Sequence, residues 1–236
     1  MRPMNTNDHF RAVIFDLDGT LFDTLPSLVV AANHVLARQG LSTVPVAPLR
    51  GALSEGLMPM FRTAVALQSP PLDAKAAAHT VDACMRHYLQ HELASATLYA
   101  QVPAMLKALQ ARGLRLAICT NRDRDSSEVL LADAGIASCF EFLVGLGDAA
   151  KPKPAADPLL RALDLLGLPA EQVLFVGDSG MDAVCARLSQ VRFAAHLDGY
   201  AARLEDLSPQ VMSFDHYPQF TDWVLAQLAI SETPHV

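Results

Sequence analysis

Short, largely apolar runs recur along the chain, most ending at a small or polar residue. Ala12-Val13-Ile14-Phe15 stops at Asp16, Leu114 to Cys119 stops at Thr120-Asn121, Phe142-Leu143-Val144 stops at Gly145, and Val173 to Val176 stops at Gly177-Asp178. A fifth and weaker run is Val191 to Ala195. Runs of this length without alternation are expected of strands buried on both faces of a parallel sheet. Between them the apolar positions follow a helical period over Val102 to Arg112, Ser127 to Ala134, Pro158 to Leu166 and Met181 to Leu188, with Gly113, Gly135 and Gly167 just past three of the last turns. Strand and helix alternate, which predicts an α/β domain whose ligand site lies beyond the carboxyl ends of a mainly parallel sheet.

The stretch from about Asp23 to Thr97 breaks this rhythm. It contains no convincing strand and reads as helices near Leu25 to Arg38, Ser54 to Leu67 and Ala74 to Leu93, punctuated by Pro45, Pro48, Pro70 and Pro71 and jointed at Gly40, Gly51 and Gly56. Residues 23–97 are therefore expected to form an all-helical cap inserted into a core made of 1–22 and 98–236, as a lid over the end of the first strand.

Composition narrows the class. At 236 residues, 51% hydrophobic and 18% charged, the chain has enough apolar material for one substantial core and does not have the composition of a disordered protein. A formal charge of -7 leaves no electrostatic footprint for nucleic acid or an anionic membrane. Cys84, Cys119, Cys139 and Cys185 lack paired spacing, so neither a zinc site nor a disulfide framework is expected. The polar segment Met1 to Arg11 has no signal-peptide pattern, and no apolar run is long enough for a bilayer; a cytoplasmic enzyme is expected. His34, His79, His87 and His91 fall on cap helices and read as surface or satisfied core residues.

The polar residues after the strands carry the chemistry. Asp16 and Asp18 follow the first strand, Thr120 and Asn121 the second, Asp178 and Asp182 the fourth, and a parallel sheet brings those ends together. Carboxylates converging in this way repel one another unless a hard cation accepts their oxygens, which points to magnesium. Carboxylates, a hydroxyl, a lysine and magnesium together suit phosphoryl transfer. Taken singly, each Asp could equally be a helix cap or turn residue.

Together these segments resemble the haloacid dehalogenase superfamily over nearly the whole chain. Phe15-Asp16-Leu17-Asp18-Gly19-Thr20-Leu21 is similar to its first motif and Thr120-Asn121 to its second. A Lys-Pro segment stands for its third, and Gly177-Asp178-Ser179-Gly180-Met181-Asp182 for its fourth. The resemblance implies a Rossmann-like core with Asp16 as the nucleophile. It also implies that Asp18 protonates the leaving oxygen and then activates water, so that phosphate rather than halide chemistry is expected. Thr120 and Asn121 would contact the phosphoryl group, and Asp16, Asp178 and the Asp18 carbonyl would hold Mg2+. Asp182 would stand behind them, holding a coordinated water or the lysine. For that lysine Lys153 keeps the family register, with Asp157 four residues on, while Lys151 is the alternative. Arg122 and Asp123 make the second motif more charged than usual and leave the role of Arg122 open.

The cap, the Lys-Pro…Asp-Pro-Leu-Leu segment and Val-Gly-Asp-Ser resemble the phosphoglycolate phosphatase branch, making phosphoglycolate the leading substrate among small phosphorylated metabolites. Sugar phosphates and amino-sugar phosphates are the others. Arg50 and Arg62 are either partners for a substrate carboxylate or solvated surface cations. Ala100-Gln101 and Ser189-Gln190 depart from the branch's usual Pro-Gly and Ala-Gly. A sugar phosphomutase and a noncatalytic binding module on the same fold are the rival functions.

Overall fold

A computed structural model describes residues 9–92, 96–201 and 203–231; the expectations for Met1 to Asp8 and for Leu93 lie outside them. The chain opens with strand β1 (Ala12–Phe15) and a two-residue strand β2 (Phe22–Asp23). Cap helices α1 (Leu25–Arg38), α2 (Ala47–Leu53), α3 (Leu57–Ala66) and α4 (Ala74–His87) follow, and α4 runs into a π-helical turn over Tyr88–Glu92. The chain returns through β3 (Thr97–Leu98) to α5 (Val102–Ala111), β4 (Arg115–Asp123), α6 (Arg124–Asp133) and β5 (Leu143–Leu146). Next come α7 (Asp157–Leu166), β6 (Val173–Gly177), α8 (Gly180–Leu188), β7 (Arg192–His196), β8 (Met212–Phe214) and α9 (Tyr217–Ser231).

Six strands form one parallel sheet in the order β5-β4-β1-β6-β7-β8, so β1 lies inside it with Phe15 level with Ile118 of β4 and Val176 of β6. Alternate residues feed two cores. Val13, Phe15, Leu116, Ile118, Leu174 and Val176 face α5, α6 and α9. Ala12, Ile14, Ala117, Cys119, Val173 and Phe175 face α7 and α8. The result is an α/β Rossmann-like core of three layers, with the helical cap packed around a third cluster centred on Leu28, Leu36, Phe61 and Tyr88. No helix among the described residues is long and apolar enough to cross a membrane.

Several elements differ from the expectation. Helix α2 was not anticipated, and α3 begins at Leu57 rather than Ser54 because Gly56, at φ 115°, breaks the backbone there. The insertion is not wholly helical at its ends, since β2 and β3 pair antiparallel, Phe22 with Leu98 and Asp23 with Thr97. Strand β4 runs on to Asp123 with a register shift against β5 between Cys119 and Asp123, which carries Asn121 and Arg122 beyond Ile118, the last residue paired with β1. Strand β8 is too short to signal itself, and α9 is apolar around most of its circumference, leaving little periodicity to read.

Helix α9 closes one face through Phe220, fully buried against Phe15, Phe214 and Tyr217. Truncating Phe220 to Ala is expected to destabilise the fold by about 3–5 kcal/mol, measured as a shift in the urea unfolding midpoint at unchanged slope.

Candidate active site

The first site loop follows directly from β1. The Asp16 amide continues the ladder by donating to the Val176 carbonyl at 2.9 Å, and the Leu17 carbonyl accepts the amides of Thr20, Leu21 and Phe22, folding Asp18 and Gly19 into a tight turn. Gly19 adopts φ +80°, and a Cβ there would fall 2.2 Å from Asp178 Oδ2, so both conformation and space demand glycine.

Lys153 Nζ stands at the centre. It lies 2.9 Å from Asp16 Oδ1 and 2.6 Å from Asp182 Oδ1, and donates to the Cys119 carbonyl at 3.1 Å. Its backbone is gripped by Asn121, whose Oδ1 accepts the Lys153 amide and whose Nδ2 donates to the Lys153 carbonyl, each at 2.9 Å. Burial alone would strip the charge from Lys153, but the Asp16 and Asp182 carboxylates outweigh it and hold the ammonium well above its ordinary pKa. Lys151 is exposed, so Lys153 is the lysine the fold brings to Asp16.

Asp182 serves two partners. Oδ2 accepts from the amide and hydroxyl of Ser179 at 3.0 and 2.5 Å in a capping box at the start of α8, which leaves Oδ1 for Lys153. Asp178 is held by the Thr20 hydroxyl on Oδ1 at 3.0 Å and the Tyr200 amide on Oδ2 at 2.7 Å. Thr120 is buried at the end of the core of β4, its hydroxyl accepting the Arg122 amide at 3.1 Å.

Oxygens of Asp16, Asp178 and Asp182 lie within 4.8 Å of one another, the only such set of three found among the described residues. Burial pushes Asp16 up to about 7, with Lys153 opposing and Asp182 adding to the rise. Burial, then Asp182 and Asp16, raise Asp178 well above the carboxylate range. With one ammonium beside them, Asp16 and Asp178 therefore hold their protons more tightly unless further positive charge arrives, which fits a divalent cation held by these two residues.

Asp18 and Arg122 both line the cavity, and the guanidinium holds the carboxylate. Arg122 donates Nε to Asp18 Oδ2 at 3.0 Å and Nη2 to Oδ1 at 2.7 Å, while Nη2 also donates to the Tyr88 hydroxyl of the cap at 2.6 Å. The cavity, about 550 Å³, is floored by Asp16, Asp18, Thr120 and Lys153 and roofed by cap residues from Leu53 to Pro59 and Met85. Neither cap arginine reaches it. Arg50 Nη1 donates to the carbonyls of Asp198 and Gly199, at 3.3 and 2.8 Å, and Arg62 lines a separate groove within the cap. His34 stacks on His87 at 4.1 Å and His87 meets His91 at 4.6 Å, as ring contacts on the cap.

Three supports of the site carried no motif. The Tyr200 hydroxyl binds the amides of Thr24 and Leu25 at 2.6 and 3.0 Å, His196 Nδ1 lies 2.8 Å from the Gly19 carbonyl, and the Tyr217 hydroxyl donates to the Thr20 carbonyl. The acidic Asp23 beside Thr24 was the nearest available signal for Tyr200, which it contacts at 3.0 Å. Nothing in the residue pattern flagged the other two.

A sequence profile of the haloacid dehalogenase-like hydrolases matches residues 13–196, and the chain belongs to that family. Among its relatives is a phosphoglycolate phosphatase of Rhodospirillum rubrum, 34% identical over 218 residues that cover 91% of this chain and 90% of that one. A plasmid-encoded phosphoglycolate phosphatase of Cupriavidus necator is 36% identical over 192 residues, 80% of this chain and 82% of its own. The fold is shared with the crystal structure of a "predicted phosphoglycolate phosphatase" from Haemophilus somnus at TM-score 0.79 and 24% identity, covering 93% of this chain and 99% of that chain.

Two measurements probe this construction. Gly199 packs so closely on Asp178 that a Cβ would lie 2.3 Å from the Asp178 Cβ. Gly199→Ala is therefore expected to displace that carboxylate and weaken binding of an added divalent cation about 10–100-fold in a folded protein, read by calorimetric titration. Burial lowers the His196 pKa despite its bond to the Gly19 carbonyl. The unfolded chain then binds the extra proton first, so the stability tied to a neutral His196 is present above the unfolded pKa of about 6.5 and is lost as pH falls through the folded one. Thermal midpoints are expected to fall over that window in the parent and to fall less in His196→Gln.

Proposed function

We propose that this phosphoric monoester hydrolase is a magnesium-dependent phosphatase that cleaves a small phosphorylated metabolite through an aspartyl-phosphate on Asp16. Residues 1–22 and 98–236 form its catalytic core and 23–97 its cap. The observation that carries this reading is the Lys153 ammonium held between Asp16 and Asp182, beside Asp178 and beneath a cavity lined by Asp18 and Thr120.

In the first half-reaction Asp16 attacks phosphorus, the ester P–O bond breaks, and Asp18 gives its proton to the departing oxygen. Lys153 keeps positive charge next to the attacking carboxylate and the phosphoryl oxygens, and the Thr120 hydroxyl donates to one of those oxygens. Asn121 acts through Lys153, whose backbone it holds on both sides. In the second half-reaction Asp18 takes a proton from water, which attacks the acyl-phosphate; inorganic phosphate leaves and the Asp16 carboxylate is restored. Magnesium held by Asp16, Asp178 and the Asp18 carbonyl would supply the further positive charge that the phosphoryl oxygens need. The relatives named for phosphoglycolate make it the first ester to assay.

Phosphate is expected to appear in solution, rather than to migrate within a sugar, when phosphorylated metabolites are supplied with magnesium. Chelation is expected to abolish turnover, and Asp16→Asn to lower it by about 10³-fold or more. Because Asp16 titrates near 7 without metal, apparent magnesium affinity should tighten as pH rises through that value and weaken below it. Chelator-resistant turnover, or an Asp16→Asn enzyme as active as the parent, would refute the reading.

A further inference from the structure

We infer that Arg122 is a positioning residue for the acid–base carboxylate: a chain from Tyr88 through Arg122 to Asp18 lets the cap aim Asp18 at the leaving group. The inference rests on the proposed role of Asp18.

Contact at two points is the first observation. With Nε on Oδ2 at 3.0 Å and Nη2 on Oδ1 at 2.7 Å, the guanidinium fixes both the place and the plane of the Asp18 carboxylate, whereas a single bond would leave it free to turn. The asymmetry of the pair is the second. The Arg122 side chain is 4% exposed and that of Asp18 is 24% exposed, so although both line the cavity the cation is the more buried, anchoring end and the carboxylate the more open one. Burying a guanidinium is costly unless it is paired, and here Asp18 and Tyr88 supply the pairing. Burial tends to discharge Arg122, but Asp18, its hydrogen bonds and Tyr88 outweigh this and raise its pKa.

The third observation ties the anchor to the cap. Tyr88 is fully buried and begins the π-helical turn that follows α4, and its ring lies 5.8 Å from the Arg122 guanidinium carbon while its hydroxyl accepts from Nη2. A π turn is a local widening commonly found at functional positions. Arg122 itself stands on the irregular extension of β4 beyond Cys119. Core and cap thus each contribute one end of the chain, and Asp18 is fully supported only with the cap seated. Of the three side-chain hydrogen bonds that Arg122 donates, two go to Asp18 and one to Tyr88, and Nη1 is buried without a partner.

The experiment compares kcat/KM for the best-cleaved alkyl phosphate and for p-nitrophenyl phosphate with magnesium present. This ratio covers only the steps through loss of the first leaving group, so hydrolysis of the shared intermediate drops out. An alkoxide needs a proton to leave, whereas p-nitrophenolate does not, and Asp18→Asn sets the size of that difference. Arg122→Met is expected to lose on the order of 100-fold on the alkyl ester and under about threefold on the aryl ester. Combined with Asp18→Asn it should cost little further on the alkyl ester, because the two residues act as one unit. Tyr88→Phe removes a single oxygen and serves if Arg122→Met does not fold; it should lose about fivefold on the alkyl ester alone. Equal losses on both esters, or additive losses in the double variant, would overturn the inference and leave the phosphatase reading standing. A parent enzyme inert toward every alkyl phosphate would overturn the role of Asp18 and this inference with it.

Discussion

The buried ammonium of Lys153 is the interaction on which the site depends. Carboxylates from β1 and from the start of α8 can approach within hydrogen-bonding range of one another's partners only because a cation stands between them. Its position is set by backbone rather than by chance. Asn121 clasps Lys153 from the end of β4, the Cys119 carbonyl receives one of its protons, and the capping box of α8 turns one oxygen of Asp182 toward it. The ends of β1 and β6, the loop before α7 and the first turn of α8 thus hold four buried ionisable groups close together. One ammonium against three carboxyls leaves the cluster short of positive charge, a donor set that suits a divalent cation.

Much of this was legible along the chain because parallel strands convert sequence order into proximity. Asp16, Thr120 and Asp178 each follow an apolar run directly, so knowing that the runs pair side by side is enough to gather them. Lys153 is preferred to Lys151 through the family's Lys-Pro…Asp spacing, with Lys151 as the alternative; the fold buries Lys153 against Asp16 and leaves Lys151 exposed. Helix α1 was readable to its ends because its apolar stripe is regular and a Pro opens it.

What stayed hidden depends on tertiary contact. Tyr200, His196 and Tyr217 sit far along the chain from the loop they support, and an aromatic residue in a late loop or helix looks the same whether it packs a core or steadies an active site. Arg50 was ambiguous for a similar reason: a cation on a short cap helix can face substrate or backbone, and here two carbonyl oxygens of the loop before Tyr200 take it. Arg122 stood out only as an excess of charge in its motif, since its partners Asp18 and Tyr88 are brought to it by the sheet and by the cap respectively.

The small ribbon made by β2 and β3 has a mechanical consequence. The two places where the chain crosses between core and cap are bonded to each other, Phe22 to Leu98 and Asp23 to Thr97, and the Tyr200 hydroxyl pins the amides that begin α1 just beyond. Two independent tethers would let a lid slide, twist and tilt. Paired into one short ribbon, they would restrain those movements, so that any opening of the roof would tend to turn about the ribbon and return it over the same four floor residues in the same orientation.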